Sequence, residues 1–205
     1  GCKKYLDYKP DNSLAIPKTY NDFSALLKNP DVFNYGSKGG TPNYGEVSCD
    51  DYFLPQSTIA ALRTPLLQIY TFQRPDNADE ITSANDWFLS YAQIYYSNLC
   101  LENVQPSSDK KWEELRGQAL FYRSHNFLNL VWNHGKAFQE SSSTDPGIVL
   151  RSTTNYYEKN SRATVKQCYE RIIEDTKEAA KILPDLPENV FLPSRASSYG
   201  LLART

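Results

Sequence analysis

WEELRGQALFYRSHNFLNLVWNHG, Trp112 to Gly135, is the stretch whose reading decides the fold. It opens with polar helix formers and continues as an almost unbroken apolar body. At helical spacing Ala119, Tyr122, Phe127 and Leu130 face one way, and Leu120, Phe121, Leu128, Val131 and Trp132 another, so apolar residues wrap most of its circumference. A helix that is hydrophobic nearly all round is covered by partners on several sides. The stretch is long enough to cross a bilayer, but Arg123, His125, Asn126 and Asn129 interrupt it at mid-length, and each is costly in lipid. It therefore reads as the core helix of a helical protein.

Working outward, Trp87, Tyr91, Ile94, Asn98 and Leu101 step by four and three, with Ser83 or Asn85 as N-cap and Pro106 as stop. The short join from Gln105 to Lys110 makes this helix and the central one antiparallel neighbours. Asn98 falls within the stripe, and a buried Asn there needs the backbone or a polar residue of the central helix as partner. After Gly135, which suits a helix C′ position, a loop rich in Ser, Thr and Asn runs from Lys136 to Arg162 and ends TTNYYEKNSR. Thr164 and Gln167 then form a capping box, and Val165, Tyr169, Ile172, Thr176, Ala179 and Leu183 make a third stripe that Pro184 stops. Glu170, Glu174 and Asp175 alternate with Lys166, Arg171 and Lys177 on what reads as its solvated outer face. Ser197 to Thr205 begin a last helix.

Toward the N-terminus, Thr19 and Asp22 open a short helix with Phe23, Leu26 and Leu27 on one face, closed by Asn29 and Pro30. From Asp31 to Asn85 periodicity dissolves among Gly, Pro and aromatic residues. Thr58 to Leu62 reads as a helical turn, and Leu66 to Phe72 fits an extended or a helical piece equally well. The expected fold is all-α, with tetratricopeptide-like antiparallel helix pairs and long irregular loops. The expected organisation is an extended N-terminal tether over residues 1–18 and a helical domain over 19–205. Met is absent, which predicts that a piece has been removed ahead of Gly1. The closing LLART has no helix stop, which predicts that the domain is cut short at its C-terminal helix.

Composition narrows the function. With 24 acidic against 22 basic side chains the net charge is −2, which gives no electrostatic footprint for nucleic acid. Aromatics are abundant, with 15 Tyr, 9 Phe and 3 Trp, and Tyr combines an apolar body with a polar tip. The four Cys show no metal-ligand spacing, so neither metal nor other cofactor is expected; Cys100 and Cys168 sit in helical patterns as packed thiols. The paired acids Asp50, Asp51 and Glu113, Glu114 are adjacent and do not straddle a scissile glycosidic bond. His125 and His134 have no nucleophile motif nearby, so no enzyme is expected.

Four stretches together resemble the SusD/RagB family of outer-membrane nutrient-binding lipoproteins: the start around Cys2, Tyr5, Leu6 and Asp7, the Trp87 helix, GQALFYRSHNFLNLVWNHG, and RATVKQCYERIIEDTKEAAKILP over Arg162 to Pro184. SRASSYGLLAR, Ser194 to Arg204, resembles the family's next helix. Gln118 departs from the family's usual Glu. The resemblance implies a non-catalytic protein at the surface of a Gram-negative outer membrane, tethered through a lipidated Cys2, that partners a TonB-dependent transporter and holds glycans or other nutrients for uptake. It also implies an N-terminal fragment of a longer chain. The family's stacking aromatics lie before the Trp87 helix, which makes Tyr70 and Phe72 the platform candidates, with Arg74, Asn77, Asp51 and Arg63 as hydroxyl partners. Sugar sites pair aromatic faces with planar polar groups, the chemistry this loop carries. The alternative is a helical-repeat adaptor for a protein partner with no sugar binding.

Overall fold

In a computed structural model that describes residues 17–33, 44–73 and 85–205, several helices begin where side-chain oxygens meet amides the helix cannot satisfy itself. α1 (Tyr20–Leu27) opens on Thr19, whose hydroxyl accepts from the Asp22 amide while the Asp22 carboxylate accepts from the Lys18 and Thr19 amides. Those amides hold the Asp22 carboxyl below the usual carboxylate range. α2 (Pro30–Phe33), α3 (Tyr44–Val47), α4 (Gln56–Ala61) and α5 (Thr64–Tyr70) follow, so the ambiguous Leu66 to Phe72 stretch is helical as far as Tyr70. α6 (Asp86–Asn103) starts at Asn85, one of the two expected caps, and α7 (Lys110–His134) starts at Asp109. α8 (Val165–Ile182) starts on the Thr164 and Gln167 box, and α9 (Arg195–Arg204) on a Ser194 and Ser197 box. Among the described residues extended pairing is confined to one antiparallel bridge between Pro146 and Thr164. The expected tether falls almost wholly outside the described residues, which begin at position 17.

α7 is packed between α6 and α8, and α9 covers α8. Contacts run in opposite senses along both pairs. Trp87 meets His134, Gln93 bonds Asn126 and Asn98 bonds Arg123, while Gly117 lies under Ile182 and Leu183 and Arg123 meets Asp175. Ile94, Phe127, Leu128, Leu130, Val131 and Ile172 form one core. Phe23, Leu27 and Phe33 close a second over Leu115, Ala119 and Tyr122. Each Leu, Ile, Val or Phe among them stabilises the fold by about 1.5–3 kcal/mol through area removed from water. At Gly117 a Cβ would lie 2.9 Å from the Ile182 side chain, so the absent side chain sets how closely α7 and α8 approach.

The charges inside this bundle overturn one expectation. Asp175 does not belong to the solvated face of α8: it is 3% exposed and receives the fork of Arg123, itself 4% exposed, at 2.8 and 2.9 Å. Arg171 reaches the same carboxylate at 3.1 Å from the surface side. Arg123 spends its remaining Nη1 on Asn98 Oδ1 at 3.0 Å, and Asn98 donates to the Arg151 carbonyl at 2.9 Å. The buried Asn98 thus finds both expected kinds of partner, backbone and a polar residue of the central helix. Gly135 ends α7, but with φ −103° and ψ 173° it is extended and not left-handed. What it supplies is room, since a Cβ there would sit 2.7 Å from the Val131 carbonyl. Trp132 emerges 42% exposed, under the Arg204 guanidinium.

The loop over 136–162 is tied down at both ends. The Asp145 carboxylate collects Lys136, Ser141 and Gln139, whose hydrogen bonds hold it well below the usual carboxylate range. Main-chain bonds from Gly147 to Ala163, Ala163 to Ile148 and Val165 to Asp145 join the loop's start to its end. Arg162 adds side-chain bonds to the carbonyls of Gly147 and His134.

Replacing Asp175 by Asn leaves the Arg123 charge buried without its counterion and should cost about 3–5 kcal/mol, read as a fall in the urea midpoint. His125, stacked on Phe121 at 6.1 Å, is pushed down to about 4 by burial and, less, by Arg204. It is neutral in the fold, whereas the unfolded chain takes up that proton below a pH of about 6.5. Protons bound by the unfolded state lower stability as pH falls. Stability should therefore decline between about pH 6.5 and 4, and His125→Gln should flatten that component in urea titrations near pH 7 and pH 5.

Candidate functional site

Two surfaces combine exposed aromatics with polar groups. The first is built from α3, α4, α5 and their connections. The Tyr44 amide donates to the Asp86 carboxylate at 2.7 Å, which fixes α3 to the start of α6. Tyr70 accepts from the Leu54 amide at 2.9 Å and packs on Tyr52, ring centroids 6.3 Å apart, so it anchors the loop over 48–54 to α5. Its hydroxyl is thereby engaged and its ring half-buried. The open faces around it belong to Phe53, 85% exposed, and Phe72, 75% exposed.

Phe72 is the unusual residue of this group. α5 ends in a Schellman arrangement, the Phe72 amide bonding the Ile69 carbonyl and the Gln73 amide the Gln68 carbonyl. That motif needs a left-handed residue at C′, normally Gly. Here Phe72 takes the position with φ 56°, the one residue other than glycine with positive φ among the described residues. A bulky side chain in that region costs about 1–2 kcal/mol. The sequence thus holds a large apolar ring, in strain, where it faces water.

Of the other candidates, Asp51 adjoins Tyr52 and Arg63 is the N-cap residue of α5. Both are exposed and neither takes part in an ion pair among the described residues. Arg74, Asn77 and Cys2 lie outside the described residues.

The second surface is a cleft of about 410 Å³ between α6 and the loop over 149–160, and none of the sequence candidates lines it. Trp87, Tyr91 and Tyr95 stand one turn apart on α6, with Ile94 and Asn98 beside them; Val149, Arg151, Thr153, Thr154, Tyr156 and Asn160 form the facing wall. The two walls are joined by Tyr91, whose hydroxyl donates to the Val149 carbonyl at 2.8 Å, and by the Asn98 bond to Arg151. Burial pushes the Tyr91 phenol up to about 12, so it remains a donor. The N-terminal half of the α6 stripe therefore borders this cleft, although Ile94 and Tyr91 also pack on the core. The signal available in sequence was the aromatic recurrence at 87, 91 and 95 together with Tyr156 and Tyr157 in a polar loop.

Comparison with known proteins bears on the family and the fold. A SusD-like family model described as "Starch-binding associating with outer membrane" matches residues 4–205. Among solved structures, a candidate sugar-binding protein from Bacteroides vulgatus superposes with a TM-score of 0.74 at 24% identity, over 93% of this chain and 42% of its own. A SusD superfamily protein from Bacteroides fragilis gives 0.71 at 19% identity, over 93% and 46%. A laminarin-binding SusD-like protein gives 0.61 at 17%, over 90% and 38%. This chain thus spans less than half the length of the structures it matches, and at these identities the likeness shows the fold alone. No curated protein matches its sequence.

Phe72→Gly should relieve the left-handed strain and, despite glycine's greater freedom when unfolded, raise stability or leave it unchanged. A thermal midpoint lowered by several degrees would show that the ring packs against the fold after all.

Proposed function

The chain belongs to the SusD-like family, and from that premise we propose that it is a non-catalytic, cell-surface glycan-binding protein. The observation that carries the reading is Phe72, an aromatic face turned to solvent at an energetic cost to the fold. Such a face takes the apolar CH surface of a sugar ring. Phe72 is the platform in this reading, with Tyr70 as its support and Asp51, Arg63, Arg74 and Asn77 as partners for sugar hydroxyls. Carboxylate, guanidinium and amide groups offer the planar acceptors and donors that hydroxyls need.

The family resemblance supplies the setting. Cys2 carries the lipid anchor that holds the protein at the outer face of the outer membrane, and a TonB-dependent transporter is the partner that receives the ligand. Acylation by more than one chain gives firm attachment, where a single chain binds only reversibly. Among the described residues no helix is long and apolar enough to cross a membrane.

On native gels containing neutral polysaccharides the protein should be retarded, and Phe72→Ala should weaken that retention roughly five- to tenfold, a loss of about 1 kcal/mol. Incubation with the same polysaccharides should release no new reducing ends. Unchanged retention by folded Phe72→Ala would remove this residue from the site. In cells, Cys2→Ala should move the protein out of the membrane fraction.

A further inference from the structure

The cleft between α6 and the loop over 149–160 has a chemistry different from that around Phe72. Its α6 wall offers aromatic faces at Trp87, 39% exposed, and Tyr95, 47% exposed, with Tyr156, 85% exposed, opposite. Its volume of about 410 Å³ lies within the range of roughly 300–1,000 Å³ that small-ligand pockets occupy.

Its lining carries a single charge. Arg151 is the one charged residue in the lining. Arg123, reached through Asn98, is already neutralised by Asp175. Glu102 and Glu158 do not line the cleft, and each accepts a threonine hydroxyl, from Thr154 and Thr153 respectively. Those hydroxyls have donated their protons and keep acceptor lone pairs for a ligand's O–H groups. Among the described residues the Arg151 guanidinium makes one hydrogen bond, from Nη2 to the Asn155 carbonyl at 2.6 Å, which leaves most of its fork of N–H donors for another acceptor. Its backbone is held in place by Asn98, a fully buried side chain.

Aromatic faces for a ring, hydroxyl acceptors for its O–H groups and one guanidinium with no opposing carboxylate define a ligand. We infer that this cleft binds a uronic acid residue of an acidic glycan, the pyranose face lying on Tyr95 and the carboxylate paired with Arg151. A planar fork matched to a carboxylate gives a charge-assisted, geometrically selective contact that a neutral sugar does not satisfy. The inference rests on the glycan-binding reading for its ligand class but concerns a second site, remote in sequence from Phe72.

The test compares trigalacturonate with its fully methyl-esterified form, which keeps the rings and removes the charge, by calorimetric titration of the intact chain. The acid should bind at least tenfold more tightly. Arg151→Gln should abolish that preference and Arg151→Lys should retain part of it. Equal affinity for acid and ester, or discrimination that survives in Arg151→Gln, would overturn the assignment. Should Arg151→Gln fail to fold, amide shift mapping on the wild type decides: trigalacturonate should perturb Tyr95, Arg151 and Tyr156, and perturbations gathered at Phe72 instead would refute the second site. If neutral glycans bind and trigalacturonate does not, this inference fails and the Phe72 site stands. If neither binds, both fail.

Discussion

The bond between Arg123 and Asp175 constrains more of this molecule than any other single contact. Both charges are buried, on different helices, and they meet in a fixed two-pronged geometry that Asn98 completes on the guanidinium and Arg171 on the carboxylate. A buried ion pair is weak support for net stability, because desolvation offsets most of the attraction, yet breaking it leaves an uncompensated charge. It therefore fixes the register between α7 and α8. Through Asn98 the same guanidinium also fixes α6 and the Arg151 backbone, so one side chain reaches three helices' worth of structure and the rim of the cleft.

That connection explains how a scaffold residue bears on the wall of the cleft. Arg151 can present its guanidinium to the cleft because its own carbonyl is held from below by an amide that has no solvent access. The surface around Phe72 is organised differently, by local backbone geometry. There the helix ending itself aims the ring, and the hydrogen bonds of the Schellman turn compensate the strain. One site is positioned by long-range packing and the other by short-range turn chemistry.

This difference sets how much could be read from the sequence. The central helix, its two long neighbours, the Thr19 and Thr164 caps, Asn85 as one of two candidate caps, and the need of Asn98 for partners were all legible, because periodicity and capping are local properties of the chain. Asp175 was not. Its neighbours at 170, 171, 174 and 177 are charged, and local charge patterning reads such a residue as solvated. Its partner lies 52 residues away, and only the packing of two helices reveals it. Phe72 was singled out by its type and position, while its left-handed backbone carries no local signature, since Phe is not the residue expected there. The cleft was invisible because its walls come from residues more than 50 positions apart, as in the pairs 91 with 149 and 98 with 151.

The tied ends of the loop over 136–162 have a consequence for divergence. Gly147 with Ala163, Asp145 with Val165 and Arg162 with two carbonyls join its base almost entirely through main-chain atoms and one side chain. Backbone bonds are indifferent to the side chains they link, so exposed tip residues such as Tyr156 and Tyr157 can change without loosening the helices beneath, whereas Thr154 is itself bonded to Glu102 of α6. Frame and wall are therefore held by different forces: buried charges lock the helices, while main-chain bonds hold the base of the loop that walls the cleft, so the loop's outward side chains can be exchanged with the frame's own contacts intact.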